Sequence, residues 1–349
     1  MSDFSRRLVR WQKVHGRHGL PWQHITDPYR VWLSEIMLQQ TQVATVLGYY
    51  ERFLRRFPDV QSLAQADADE VMALWSGLGY YSRARNLHRC AQQVCGQWGG
   101  AFPSRSEDLQ QLAGIGPSTA AAIAAFCFGE RVSILDGNVR RVLARHAALE
   151  EDIASRPGSL RLQQLASACL PARSADMPAY TQGLMDLGAT LCTPRNPQCE
   201  VCPVAADCQA RLSGRQQELP LRSKKTTRKS MRLWLWWCVR DDDAVWLQRR
   251  PPSGIWAGLH APPMFETEAQ LLQASAEHAG HDALEHEPAF KHVLTHRDMH
   301  LHPVWQRVAK ARRIGMEGAW YKPEEWDAVG LAAPLKRLLL SRDRARGGA

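Results

Sequence analysis

The sequence predicts a mostly helical N-terminal region followed by an α+β domain. Up to about residue 212, apolar residues recur with the i, i+3, i+4 spacing of amphipathic helices, as at Val71, Leu74, Trp75 and Leu78. From Met231 onwards the pattern becomes strand-like, since Met231–Val239 alternates around Leu233, Leu235, Trp237 and Val239. The chain has 349 residues, enough for two domains at about 100 to 200 residues each.

Composition and charge limit the class of protein. Apolar residue types make up 45% of the chain and charged types 23%, which is ordinary for a globular protein. The longest apolar run, 120–128, is much shorter than the ~20 residues of a membrane-spanning helix. The basic N-terminus lacks the apolar stretch of a secretory signal, so we expect an intracellular, cytoplasmic protein. The net charge of +9 favours a polyanionic partner such as nucleic acid.

The first motif places a carboxyl group on an apolar helix face. Helical spacing puts Val31 and Leu38 on the same face as Glu35. Burial raises the pKa of a carboxyl group, by up to ~3 to 5 units when it is complete, which is what a general acid at neutral pH needs. A buried, paired structural glutamate is an equally good explanation of this pattern.

The second motif is a glycine-containing turn between two helices, at about residues 106–128. Ser106 is expected to cap the first helix and Pro117 to open the second. Gly114 and Gly116 allow a ligand to approach the backbone closely, and the N-terminal N–H groups of the second helix attract anions. A DNA phosphate fits there, although a simple tight corner between helices remains the alternative.

The third motif is the acidic turn of residues 134–139. It contains Asp136 and Asn138 ahead of an apolar helix. An acidic residue in that position is most often an N-cap, so the turn by itself favours a structural role over a catalytic one.

The fourth motif is a loop of four cysteines, Cys192, Cys199, Cys202 and Cys208. Four thiolates on one short loop can surround a single metal centre. The odd total of nine cysteines argues against a disulfide framework. Thiolate chemistry alone does not separate zinc from an iron-sulfur cluster.

A polar, base-rich linker is predicted over residues 213–230, before the second domain. The flexible linker is the first interpretation, and direct contact with phosphates is the second. Beyond it we predict strands at Met231–Val239, Val245–Leu247, Val293–Leu301 and Val304–Val308, and helices at Glu268–Ala279 and Pro334–Leu340.

Together these motifs resemble the helix-hairpin-helix DNA glycosylase superfamily, and within it the MutY-type adenine DNA glycosylases. The resemblance covers nearly the whole chain. Its signatures are Leu20–Trp22, Ser34–Val43, Gly77–Tyr81, Leu135–Val139, the cysteine spacing and Pro251–Trp256. It implies a helical catalytic domain at 1–212 with an iron-sulfur loop at 192–208, a basic linker at 213–230 and a Nudix-like lesion-recognition domain at 231–349.

The resemblance implies an enzyme that removes adenine mispaired with 8-oxoguanine or guanine from duplex DNA, and we expect a monomer. The four cysteines match the ligands of one 4Fe-4S cluster. Glu35 matches the general acid that protonates N7 of the flipped adenine. Asp136 matches the carboxylate that stabilises the cationic sugar at C1′ or bonds to it transiently, and Asn138 the residue that positions water or Asp136. The two roles parallel those of the carboxyl pair in glycoside hydrolysis.

Family position also implies which residues contact DNA. Flipping a base leaves a gap in the stack that protein contacts must compensate. Gln40 and Tyr80 match the residues that fill or wedge the duplex, and Gly114, Gly116 and Ser118 belong to the hairpin that binds DNA. The residues that match the lining of the adenine pocket are Trp22, Gln23, Leu38 and Asp186. Without the resemblance, Trp22 and Tyr80 would be interpreted as core aromatics.

Two departures from related patterns bear on the reaction and the lesion. Bifunctional glycosylase-lyases of the superfamily have a Schiff-base lysine where this chain has Ser118, so a monofunctional glycosylase is expected. The family's Phe-Ser-His recognition loop reads Leu294-Thr295-His296 here. Thr295 keeps the hydroxyl group, whereas Leu294 lacks a stacking ring, worth roughly 1 to 3 kcal/mol where bases stack.

Three further function classes are weighed against this interpretation. An endonuclease III-type pyrimidine glycosylase-lyase is disfavoured by Ser118 and by the additional domain. A non-catalytic iron-sulfur DNA-binding protein would use Glu35 and Asp136 only structurally. Nucleotide hydrolysis is disfavoured because no R-E-x-x-E-E core follows Gly258.

Overall fold

The computed structural model describes residues 3–223, 228–279, 283–310 and 314–347. It contains two compact units. The first comprises Met1–Gln65 and Asn86–Lys224, and the second Ala66–Arg85 and Lys225–Ala349. Residues 224–227 of the predicted linker lie outside the described residues.

The first unit is helical. Its helices are α1 (Asp3–His15), α2 (Pro28–Leu38), α3 (Val43–Arg56), α4 (Val60–Gln65), most of α6 (Ser82–Trp98), α7 (Ser106–Leu109), α8 (Pro117–Phe128), α9 (Gly137–His146), α10 (Arg156–Ala168), α11 (Met177–Asp186) and α12 (Gln209–Leu212), while α5 (Ala68–Trp75) belongs to the second unit. A π-helical turn, Leu187–Leu191, follows α11. None of the helices in the described part of the chain is long and apolar enough to cross a bilayer.

The alanine-rich helix α8 is the most deeply buried part of the predicted hairpin. Residues 119–125 are all buried, as expected of a helix that is apolar on every side. Pro117 lies in its first turn, as predicted. The prediction that Ser106 caps α7 is wrong, because Ser106 is the first residue of that helix and its hydroxyl group donates to Glu130 at 2.8 Å.

The described residues of the second unit form an eight-stranded sheet in which five strands lie in the order β3-β2-β1-β7-β5, while β4 pairs with β1, β6 with β7 and β8 with β2. Its strands are β1 (Lys229–Arg240), β2 (Val245–Arg249), β3 (His260–Ala261), β4 (Met264–Phe265), β5 (Leu284–His286), β6 (Phe290–Val293), β7 (Arg297–Val308) and β8 (Ala319–Tyr321), and its helices include α13 (Glu268–His278) and α14 (Ala333–Gly347). The long strands β1 and β7 are parallel. The predicted fold class, a helical N-terminal region followed by an α+β domain, is therefore confirmed.

The predicted strands Val293–Leu301 and Val304–Val308 have different boundaries in the structure. β6 ends at Val293, residues 294–296 form a connection, and β7 then runs without a break through Pro303. Pro303 lacks a backbone N–H group, which normally interrupts a sheet. It is tolerated because one edge of β7 changes its partner strand at this point. β6 pairs with β7 up to Leu301, and β5 pairs with it from Val304 onwards.

Candidate active site

A cavity of about 650 Å³ opens beside α2 in the first unit. Val31, Glu35 and Leu38 all line it, which confirms that they share one helix face. Trp22 and Gln23, also predicted as pocket residues, line the same cavity. Trp22 packs edge-on against Tyr50, with ring centroids 5.2 Å apart, so this wall of the cavity is apolar and well supported.

Glu35 is the acidic residue of this cavity. Its side chain is partly exposed to the cavity but densely surrounded by protein. Burial raises the pKa of Glu35 to about 8, and the negative charge of Asp136 adds to the rise. Both causes disfavour the carboxylate form. Glu35 is therefore mostly protonated at neutral pH, as a proton donor must be.

Asp136 is the N-cap of α9, as its sequence context suggested. Its Oδ1 accepts a hydrogen bond from the N–H of Val139 at 2.7 Å. An anionic cap interacts favourably with the positive end of the helix dipole. The preceding N–H, that of Leu135, donates to Ser118 Oγ at 3.2 Å. The hairpin helix α8 thereby holds the turn that carries Asp136.

Asn138 connects this turn to the cysteine loop through Arg141. The Arg141 guanidinium donates to Asn138 Oδ1 at 2.9 Å, to the Gly188 carbonyl at 2.7 Å and to the Cys192 carbonyl at 2.8 Å. A Cβ atom at Gly188 would lie 2.6 Å from Asn138 Cβ, so only glycine allows this approach. The predicted catalytic amide thus accepts a hydrogen bond from a structural arginine.

Asp186 lies behind the cavity wall and is fully buried. Its carboxylate accepts from Arg17 Nε and Gln182 Nε2, at 2.7 and 2.8 Å, and from the Arg17 backbone N–H at 3.0 Å. Arg17 and Gln182 themselves line the cavity. Asp186 is a residue that the family resemblance predicts, whereas neither of its two partners was predicted from the sequence. Gln182 could have been found, since it is one helical turn before Asp186 on the same face.

Basic side chains that were not predicted from the sequence also border the cavity. They are Lys13, Arg17, His18 and His24. Gln23 adds a polar group: its Oε1 accepts from the Leu20 N–H at 3.1 Å, while its buried Nε2 has no hydrogen-bond partner among the described residues. A bound molecule with an acceptor atom would satisfy it.

The four cysteines line one shared space of about 30 Å³. Burial raises the pKa of Cys202 to about 12, and burial together with the neighbouring Cys192 raises the pKa values of Cys199 and Cys208. Clustered thiols of this kind become thiolates when a metal centre compensates their charge. The donor set therefore fits a cysteine-bound metal cluster. Among the described residues, no group of three or more His, Cys, Asp or Glu side chains is already arranged to hold a metal ion.

Arg145 supports the cysteine loop from within the first unit. It is buried and donates to Cys192 Sγ at 3.4 Å and to the Thr193 carbonyl at 2.7 Å. It also donates to the Leu219 carbonyl at 2.8 Å. Part of the predicted linker is thus attached to the first unit.

The two glycines of the hairpin differ in their surroundings, since one packs closely against a neighbouring residue and the other faces open space. Gly114 has φ +77°, and a Cβ atom there would lie 2.7 Å from Asn86 Cβ. Gly116 precedes α8 with nothing within 4 Å of the corresponding position. The N-terminus of α8 is therefore open to an anion. Gln40, with φ +55°, is exposed just after α2.

A second cavity, of about 530 Å³, lies within the second unit. Tyr80, Thr295 and His296 line it together with Leu294 and Arg85. Tyr80 is 44% exposed, and its hydroxyl group lies 3.2 Å from Thr295 Oγ1. Residues that the sequence analysis assigned separately to duplex wedging and lesion recognition are thus brought together.

Three family descriptions match parts of this chain. Residues 33–168 match the HhH-GPD superfamily of base excision DNA repair proteins. Residues 192–208 match the iron-sulfur binding domain of endonuclease III, and residues 235–341 match the NUDIX domain. The iron-sulfur match coincides with the four cysteines that share one space.

Individual proteins match over larger stretches. The adenine DNA glycosylase of Buchnera aphidicola subsp. Schizaphis graminum is 31% identical over 341 residues, covering 96% of this chain and 97% of that protein. The adenine DNA glycosylase of Homo sapiens is 44% identical over 229 residues, covering 63% of this chain and 41% of that protein. The solved structure of a thermostable thymine-DNA glycosylase superposes with a TM-score of 0.55 at 26% identity, covering 60% of this chain and 95% of that one.

Proposed function

This chain belongs to the adenine DNA glycosylase family, and we propose that it removes adenine mispaired with 8-oxoguanine or guanine from duplex DNA. The observation that carries the proposal is the position of Glu35 in the wall of the cavity, close enough to the capping carboxylate Asp136 for its charge to contribute to the raised pKa of Glu35. One carboxyl group can donate a proton while the other remains an anion.

In the proposed reaction Glu35 transfers its proton to N7 of the flipped adenine. The glycosidic bond then breaks, and its electron pair leaves with the neutral base. Asp136 stabilises the positive charge that develops at C1′ or bonds to that carbon transiently. Water adds its oxygen to C1′, and one proton from the water restores Glu35. The products are free adenine and an abasic site.

Gln182 is proposed to recognise the amino group of adenine. Its Nε2 donates to Asp186, and a carboxylate can only accept. The carbonyl oxygen of Gln182 is therefore the end of the side chain available to a donor on the bound base. Adenine presents such a donor in its exocyclic amine, and Trp22 supplies an apolar surface for the ring.

The basic border of the cavity suits the phosphates that flank an extruded nucleotide. Lys13, Arg17, His18 and His24 can contact them, and the open N-terminus of α8 after Gly116 offers backbone N–H groups to a further phosphate. Such contacts release counterions from DNA, so binding should weaken as salt rises.

The second unit is proposed to recognise the base opposite the adenine. Thr295 supplies a hydroxyl group and His296 a ring nitrogen to the second cavity, and either can bond to the edge of 8-oxoguanine. The half-exposed ring of Tyr80 at the same cavity is proposed to wedge the base stack. It also offers the aromatic surface that Leu294 lacks.

Cys192, Cys199, Cys202 and Cys208 are proposed to hold a 4Fe-4S cluster. When bound, such a cluster cross-links four points of the loop through iron–thiolate bonds and can carry one electron. Arg141 donates to the Cys192 carbonyl and Arg145 to the Thr193 carbonyl, so both arginines hold the backbone of the loop. Ser118 offers no amine for a Schiff base, so the proposed enzyme leaves an intact abasic site.

One assay separates the proposal from its alternatives. The protein is mixed with duplexes containing adenine opposite 8-oxoguanine, adenine opposite guanine, or an oxidised pyrimidine, and abasic sites are quantified with and without alkali. We expect alkali-sensitive sites in the two adenine duplexes only. Cleavage of the oxidised-pyrimidine strand with a borohydride-trapped adduct would indicate an endonuclease III-type lyase. Binding without base release would indicate a non-catalytic protein.

A further inference from the structure

The turn that presents Tyr80 has an unusual backbone. Gly77 and Gly79 have φ angles of 103° and 71°, and Tyr80 itself has φ 48°. The left-handed region is accessible to glycine but strained for a residue with a Cβ atom. Neighbouring groups must therefore hold Tyr80 in this conformation.

The hydroxyl group of Tyr81 is one such group. It accepts from the N–H of Gly77 at 3.4 Å, at the start of the turn. It also accepts from the N–H of Ala333 at 3.2 Å and donates to the Leu331 carbonyl at 3.5 Å. A single side-chain oxygen thus joins the Tyr80 turn to the segment 331–333, far away in the sequence but in the same unit.

Residues on both sides of the turn also contact the C-terminal part of the chain. Ser76 Oγ donates to the Leu331 carbonyl at 2.6 Å. A Cβ atom at Gly330 would lie 3.1 Å from Met72 Cβ, so α5 and the chain before α14 are in close contact. On the other side of the turn, Arg85 donates to the Ala257 carbonyl at 2.6 Å. The turn is therefore held at both ends by residues from the C-terminal part of the chain.

We propose that Tyr81 is a positioning residue for Tyr80: its hydroxyl group fastens the Gly77–Tyr81 turn to segment 331–333, so that the C-terminal part of the chain sets the wedge against the base stack. This inference rests on the proposed wedging role of Tyr80. It assigns to the C-terminal part of the chain a role in extruding the adenine, in addition to its proposed role in recognising the opposite base.

The test is base extrusion by Tyr81→Phe, which removes only the hydroxyl group. The probe is a duplex with 2-aminopurine in place of the target adenine, whose fluorescence rises when the base leaves the stack. Ser275→Ala is the control, because its buried hydroxyl group donates to Gln306 in the same unit and not to the turn or to segment 331–333. We expect Tyr81→Phe, which loses three hydrogen bonds of which two are 3.4 Å or longer, to slow the rise roughly tenfold. Ser275→Ala should keep the wild-type rate.

Thermal unfolding of both variants shows whether they are equally stable. If Tyr81→Phe does not fold, Ser76→Ala, which removes a bond to the same Leu331 carbonyl, decides the question with the same probe. A wild-type rate in the folded Tyr81 variant, or an equal slowing in Ser275→Ala, would overturn the inference. Wild-type protein that releases no adenine would instead refute the proposed function.

Discussion

The hydroxyl groups of Tyr80 and Thr295 lie 3.2 Å apart, although the residues are 215 positions apart in the chain. The residue proposed to wedge the duplex is thus in contact with the residue proposed to recognise the opposite base. Recognition of 8-oxoguanine and insertion of the Tyr80 ring should therefore both depend on the hydroxyl group of Thr295.

Thr295→Val keeps the shape of the side chain and removes this hydroxyl group. We expect the ratio of adenine release opposite 8-oxoguanine to that opposite guanine to fall about two- to tenfold, the effect of one hydrogen bond. Single-turnover rates on the two duplexes measure the ratio. Thr45→Val, an exposed substitution on α3, is the control. An unchanged ratio would remove Thr295 from lesion recognition.

Gln182→Leu tests how adenine is recognised. The variant loses the carbonyl oxygen that we expect to accept from the exocyclic amine, so adenine release should slow roughly tenfold. Hypoxanthine has a carbonyl group in place of that amine and gains nothing from the wild-type residue. The preference for adenine over hypoxanthine should therefore shrink in the variant. A preference that stays at the wild-type value would mean that Gln182 does not contact the amine.

Glu35→Gln should stabilise the fold at alkaline pH. Because the pKa of Glu35 is raised to about 8 in the folded protein, the folded state retains a proton that the unfolded chain releases above its lower, ordinary pKa. The stability that this proton contributes is complete at acidic pH and is lost as the pH rises through about 8. Glutamine has no such loss.

Thermal unfolding at several pH values measures this effect. The variant should unfold at a higher temperature than the wild type at pH ~8.5, and the difference should shrink towards pH ~5. A difference independent of pH would show that Glu35 does not titrate in this range.

Cys199→Ser tests the proposed cluster. Losing one thiolate should abolish the broad visible absorption of an iron-sulfur protein and lower the iron content of the purified protein. Cys95→Ser, at a half-buried cysteine outside the loop, should keep both signals. A colourless wild-type protein with stoichiometric zinc would contradict the cluster.

The local features of the site could be predicted from the sequence. The shared face of Val31, Glu35 and Leu38 follows from helical spacing, and the cap at Asp136 follows from an acidic residue before an apolar helix. Both depend on residues within about one or two turns of each other. The resemblance to a known family added the roles that spacing cannot give.

The long-range features could not be predicted in the same way. Arg17 and Asp186 are separated by 169 positions, and no periodicity relates them. Ala66–Arg85 associates with the C-terminal part of the chain through hydrogen bonds to backbone carbonyls there, which Ser76, Tyr81 and Arg85 donate. Backbone groups of this kind have no signature in the sequence.

In the proposed reaction Glu35 donates the proton while Asp136 acts as an anion. The most direct test is the single-turnover rate of adenine release, opposite 8-oxoguanine at neutral pH, by Glu35→Gln and Asp136→Asn proteins that are folded and bind the duplex. Glu107→Gln, at an exposed surface position, is the control. We predict that each active-site variant loses at least about a hundredfold in rate, with the control unchanged. Release at the wild-type rate by either variant would contradict the role proposed for that residue.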